Sequence, residues 1–383
     1  VGRESVKFNR RRPTNSKDAA MLTRREFVRT ALVAGGASSL ALVTQAKQGE
    51  PAAADWISAE TQQVIDRSLL TMASMQAQDG SFSDSRTGFG NVAITGLAGL
   101  ALMAAGHQPG RGRFGEAVAR AADYVVRRGN ANGSTPGYLN NPDASMSHGS
   151  MYQHGFGALF LAEVYGMVPS PEKQRALRAM LEKAIGLTRN AQNPEGGWRY
   201  EPRSVQVADV SVTVAQLMAL RAAKNAGVAV PKSVVDKCVA YIKACQLPDG
   251  GFCYIKNQGG VGSGFARTAA AVVGLFSAGI YDGKAVEGGL SYMMRFLPGR
   301  RGNLAETRPD QHYYYGHYYA ALAMWTAGGN YWAEWFPAIR DELLARHRQF
   351  SGWTDNGHGP SYAAAMACII LQLPNNYLPI MQK

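Results

Sequence analysis

A seven-residue turn recurs three times along this chain and constrains its fold more than any other feature. QAQDGSF (76–82), QNPEGGW (192–198) and QLPDGGF (246–252) share a glutamine, a glycine four residues on, and an aromatic in seventh place. Each closes an amphipathic run: ISAETQQVIDRSLLTMASM, PEKQRALRAMLEKAIGLTRN and VPKSVVDKCVAYIKAC. The glycine can take the left-handed conformation that ends a helix, the acid-glycine pair suits a tight turn, and the aromatic can staple the turn to the body. A second, more apolar helical run follows each turn: NVAITGLAGLALMAAG (91–106), ADVSVTVAQLMALRAAKNAG (208–227) and GFARTAAAVVGLFSAG (264–279).

Aligned on one another, these runs place Thr95, Thr213 and Thr268 at one position, with Leu102, Leu220 and Leu275 seven residues further on. Weaker copies start at His154, at His317 and near Ala363, the last preceded by a Gly352-Trp353 turn. Six units of two helices follow. A polar helix alternating with an apolar one cannot bury its second face alone, so the pairs must pack side by side. The expected fold is all-α: an α/α toroid of six helix pairs, outer and inner, spanning residues 58–383 as one domain around a central cavity.

The repeated turn before apolar inner helices resembles that of the squalene cyclase and protein prenyltransferase β-subunit repeat family, over roughly residues 58 to 382. The cyclases of that family begin an inner helix with D-x-D-D-T-A, whose middle acid protonates an alkene. The matching stretch here is Asp209-Val-Ser-Val-Thr-Val, with Ser211 in the donor's place. A serine hydroxyl is far too weak an acid for that step. The polar pattern has another use, because Asp209 or Ser211 can cap the free N–H groups of a helix start. The prenyltransferases hold zinc with Asp-x-Cys at one inner helix start and a His at the next. His317 matches the histidine, but Phe265 and Arg267 stand at the Asp-x-Cys positions. No metal and no cofactor are expected. The G-C-G-E-Q turn of complement-type thioester domains and a G-x-S-x-G elbow are both absent from the sequence.

With both family centres missing, the resemblance leaves a toroid that binds an apolar, isoprenoid- or lipid-like small molecule, or a partner such as a second subunit. Aromatics crowd the inner helix starts. The expected cavity residues are Tyr152, His154, Ser211, Thr213, Phe265, Arg267, Tyr314, Tyr318 and Tyr362. Rings there can stack on a ligand, sugars included, or fill the space by packing on each other. An enzyme with a different centre, terpenoid-modifying or glycan-cleaving, would use Asp209, Asp310, His317 and Tyr315 for acid/base work. A cell-envelope scaffold is the third reading. GNYWAEWFP (329–337) and PNNYLPIMQ (374–382) either seal the join of last and first units or, through Trp332 and Trp335, meet a partner.

The formal charge of +12 first suggests nucleic acid, but half of it sits in the first 46 residues, which hold nine Lys/Arg against three Asp/Glu. The rest carries no basic run, so no nucleic-acid partner is expected. Residues 21–46 read as an export signal with a basic start, a mild apolar stretch and a T-Q-A end. Arg24 and Arg25 within T-R-R-E-F-V-R resemble the twin-arginine signal, which implies export to the periplasm, cell envelope or exterior. Residues 1–20 read as an upstream extension and 47–57 as a linker, with no transmembrane span expected in the mature chain. Cys238 and Cys245, seven residues apart on a helix and so about 10 Å along its axis, cannot bridge. Cys245 with Cys253, either of them with Cys368, or four buried thiols remain open.

Overall fold

Twelve α-helices run through the computed structural model, which describes residues 56–131, 133–144, 150–257, 262–299 and 312–382. Six are inner: α2 (Val92–Ala104), α4 (Ser150–Tyr165), α6 (Val210–Asn225), α8 (Phe265–Ser277), α10 (Tyr313–Ala327) and α12 (Pro360–Gln372). Six are outer: α1 (Ala59–Ser74), α3 (Gly115–Ala131), α5 (Pro171–Ala191), α7 (Lys232–Ala244), α9 (Lys284–Met294) and α11 (Gly329–Gln349). Each inner helix packs on the next, and α12 packs on α2, so the ring closes. The sequence expectation of an α/α toroid holds. Inner helices are buried almost all round, as α2 and α6 show, whereas α5 buries one stripe through Leu177, Leu181, Ala184, Ile185 and Thr188. That division follows from the two-layer geometry, in which only the inner layer has neighbours on every side.

The recurring turn ties the layers together by the same contacts each time. Gly80, Gly196 and Gly250 have φ of 88°, 98° and 87°. A Cβ on any of them would meet the backbone of the next outer helix, Arg120 O at 2.3 Å, Lys237 O at 2.3 Å and Gly288 O at 2.6 Å. Glutamine locks that approach. Gln76 Nε2 donates to Gly80 O and Ala117 O, Gln192 Nε2 to Gly196 O and Val234 O, and Gln246 Nε2 to Gly250 O and Ala285 O. The aromatic is held through its own amide, since Phe82, Trp198 and Phe252 each donate to the hydroxyl of Thr95, Thr213 or Thr268 at 2.9 Å.

At the join of last and first units, Trp353 Nε1 donates to Ser68 Oγ at 2.7 Å and Arg348 pairs with Glu60. Trp332 and Trp335 are buried, and Trp332 and Phe336 pack edge-on against Trp56, so GNYWAEWFP seals this join. The tail does more than seal it. Asn375 Nδ2 bonds Ala104 O at the join, but Trp325 Nε1 donates to Met381 O and Ile380 N–H donates to Glu163, so the last residues lie under the C-terminal ends of the inner helices. All four cysteines are buried free thiols. Among the described residues no helix is long and apolar enough to cross a membrane. The export signal with Arg24 and Arg25, and the candidate acid Asp310, lie outside the described residues.

Candidate functional site

Asp209 anchors the site. It is fully buried in the extended residue before α6, and its Oδ1 accepts the Val212 amide at 2.8 Å as an N-cap. The capping role read from the sequence therefore falls to Asp209. Its Oδ2 makes no hydrogen bond and has Arg199 Nη1 at 4.0 Å. Burial pushes this carboxyl up to about 6, and the Val212 amide, the Arg199 charge and the Tyr254 hydroxyl pull in the other direction.

Four tyrosines surround it at the N-terminal end of the ring. The hydroxyls of Tyr200 and Tyr254 bond each other, and the Arg199 guanidinium lies over both rings, 4.9 and 5.9 Å from their centroids. Tyr152, at the start of α4, has its ring 6.4 Å from those of Tyr200 and Tyr315. The Tyr315 hydroxyl lies toward Ser211, Tyr319 and Tyr152 without a hydrogen bond of normal geometry. All four tyrosines are half-buried. Burial raises the phenols of Tyr152, Tyr254 and Tyr315, leaving Asp209 as the group of this cluster that changes charge near neutral pH.

Tyr200 and Tyr254 reach this mouth because the turn of each unit passes over the inner helix start of the unit before it. Tyr200 O accepts from Met151 N and Ser150 Oγ at the start of α4, and Tyr254 O accepts from Val210 N at the start of α6. Both residues stand two places after the aromatic of the recurring turn. The sequence reading did not single them out, yet that register was available in it.

Below the mouth the lumen is filled. Opposite helices α4 and α10 touch through Phe156 and Tyr318, whose centroids are 6.3 Å apart, and Tyr319 packs on Tyr315 and Tyr318. The expected cavity residues divide accordingly. Tyr152 and Ser211 meet the catalytic candidate Tyr315 at the mouth beside Asp209, Tyr318 plugs the lumen, and Tyr314 packs on Tyr313 and Tyr362. Arg267 turns back on its own loop, where its Nη2 donates to Gly262 O.

Four residues serve the ring wall instead of a cavity. His154 accepts the Leu139 amide and bonds Ala184 O and Thr188 Oγ1 of the outer helix α5; burial holds it down at about 4. Thr213 holds the Trp198 amide. Phe265 and His317 pack on each other and on the outer Trp335, with His317 lowered to about 3 by burial and then by Arg346. So placed, His317 is held neutral among the aromatics of the wall, with its Nδ1 buried and without a hydrogen bond. No group of three or more His, Cys, Asp or Glu side chains that could hold a metal occurs among the described residues.

Residues 168–323 match the prenyltransferase alpha-alpha toroid domain family. No curated protein matches the chain. Among solved structures, an inactive variant of an α-1,6-mannanase of Salegentibacter sp. HEL1_6, in complex with α-1,6-mannotriose, superposes with a TM-score of 0.58 at 9% identity, covering 82% of this chain and 99% of its own. Cellobiose 2-epimerase from Spirochaeta thermophila DSM 6192 gives 0.58 at 12% identity, covering 83% and 96%. The epimerase of Bacillus thermoamylovorans B4167 gives 0.54 at 11%, covering 82% and 98%. At these identities the likeness is one of fold. The chain is thus an α/α toroid whose residues 168–323 match the prenyltransferase alpha-alpha toroid domain family.

Proposed function

We propose that this protein binds a polyhydroxylated ring compound of sugar type at the N-terminal mouth of the toroid, with Asp209 as the proton-active group. The observation that carries this is a fully buried carboxyl whose Oδ2 takes no hydrogen bond and has the Arg199 guanidinium at 4.0 Å, set among half-buried tyrosines. A sugar presents an apolar C–H face that stacks on such rings and a hydroxyl edge that answers Asp209, Ser211 and the phenols. A wholly apolar, isoprenoid- or lipid-like occupant fits less well. The space below the mouth is bridged by Phe156 and Tyr318, and the Arg199–Asp209 pair puts charge at the mouth itself. The sugar-handling enzymes that share the fold agree with this reading without identifying the sugar. An export leader at residues 21–46 would bring the toroid to envelope or extracellular glycans.

Calorimetric titration of the toroid with α-1,6-mannotriose, cellobiose and farnesol tests the reading. The expected result is saturable binding of a sugar, weakened at least tenfold by Tyr152→Ala and by Asp209→Ala. Saturation by farnesol with no response to either sugar overturns it in favour of an apolar ligand.

A further inference from the structure

The repeat register marks a second polar pole on the same mouth. Two places after the turn aromatic stand Tyr200 and Tyr254 in the third and fourth units; in the first unit that place is Asp84. Asp84 is fully buried. Its carboxylate takes Arg86 in a two-pronged pair, Nε to Oδ1 at 3.0 Å and Nη2 to Oδ2 at 2.7 Å, and has His358 Nδ1 at 3.1 Å from Oδ2. His358 belongs to the loop before α12, which Asp355 shapes by accepting the amides of Gly357 and His358. Burial alone would raise the Asp84 carboxyl, but its bonds to His358 and Arg86 hold it well below the usual carboxylate range. An ionised carboxylate only accepts, so Nδ1 is the donor, and in the neutral imidazole Nε2 is left as an acceptor. The histidine is about a third exposed, and its ring lies 4.8 Å from that of Tyr362, which in turn packs 6.5 Å from Tyr314.

Units three and six are opposite members of the ring, so the start of α6 and the loop before α12 face each other across the mouth. We propose that the ligand site spans that mouth from Asp209 to His358, one ring of the ligand stacking on Tyr152 and Tyr315 and a further ring on Tyr362, with a hydroxyl donated to His358 Nε2. The ligand class is then an oligosaccharide of two or more rings. Asp84 is a positioning residue that fixes the imidazole tautomer, and Arg86 balances its charge. This inference rests on the sugar reading of the mouth and adds the length of the ligand to it.

A contact that merely closes the ring needs only Nδ1 of His358, whereas a ligand contact needs Nε2. His358→Asn keeps an N–H donor for Asp84 and deletes Nε2; His358→Gln keeps a polar group near Nε2 and gives up Nδ1. Binding of mannose, α-1,6-mannotriose and α-1,6-mannotetraose to the whole chain is the measurement, with the melting temperature of each variant alongside. The wild-type chain is expected to bind the trisaccharide at least tenfold more tightly than mannose. His358→Asn should bring that ratio toward one at an unchanged melting temperature, His358→Gln should keep most of it, and Asp209→Asn should weaken every sugar. Should His358→Asn fail to fold, Tyr362→Leu takes its place with the same expectation. A ratio that survives His358→Asn or Tyr362→Leu, or a wild type that does not distinguish the lengths, overturns the inference and leaves the sugar reading standing. No binding of any of the three overturns both.

Discussion

Asp209 serves the helix and the site in ways that oppose each other energetically. As an N-cap it stabilises α6, by about 1 kcal/mol for such a group. As a buried carboxyl at about 6, against roughly 3.9 in an unfolded chain, it disfavours the ionised folded state. The folded form holds its proton to higher pH, so this contribution is most favourable below about pH 4 and is lost as pH rises through 6. Asparagine also caps helices but carries no charge. Asp209→Asn should therefore be more stable than the parent at pH 7.5, by on the order of 2 kcal/mol, with little difference at pH 4. Urea denaturation at the two pH values checks this, and an equal effect at both would mean that the carboxyl is not perturbed as described. Asp209→Ala should gain less at pH 7.5, because the cap is lost with the charge. A stabilising loss of a polar group is the usual mark of a residue kept for function.

At the scale of the element, the recurring turn was read from the sequence by its glycine and aromatic. Its glutamine and its threonine entered only as coincidences of alignment. Their roles depend on partners more than a dozen or, for Gln192 and Val234, forty-two residues away, and such partners are set by packing rather than local pattern. The same limit applies to His154 and His317, whose places at inner helix starts suggested the cavity. Helical periodicity gives the axial level of a side chain more securely than which neighbour it faces, and both turn to the outer layer. The turn's energetics can be tested at two glycines of positive φ. Gly196→Ala meets Lys237 O at 2.3 Å, whereas Gly88→Ala, at φ of 73°, meets nothing within 4 Å. Gly88→Ala should cost about 1 kcal/mol, the conformational share alone. Gly196→Ala should cost at least twice that, on the order of 2–4 kcal/mol, because the outer helix must shift. Thr213→Val leaves the buried Trp198 amide without its acceptor and should cost about 1–3 kcal/mol. Denaturant midpoints of the three variants give the order directly.

For the whole molecule, six units and an alternation of layers were legible because each unit repeats a helix period and a turn. Closure into a ring was expected from the number and length of the pairs, but its contacts were not legible, since curvature comes from small rotations between neighbours that no single unit encodes. It is expressed in contacts between the ends of the chain: Trp353 to Ser68, Arg348 to Glu60, His358 to Asp84, and Gln372 Nε2 to Ala101 O. An open row of helix pairs can unfold from its ends in steps, whereas a ring has no end unit to fray. The toroid should therefore unfold in one transition, with far-ultraviolet circular dichroism and tryptophan fluorescence tracing the same urea curve. Removing residues 350–383 takes away α12 and leaves α2 and α10 without the helix that lies between them. Such a chain should lose the shared midpoint, its first units melting at lower urea than the centre around Trp198. Coincident curves in the shortened chain would show that the six units are stabilised by pairwise neighbours alone. In that case the contacts between the chain ends would serve to shape the mouth, holding His358 opposite Asp209, more than to hold the fold together.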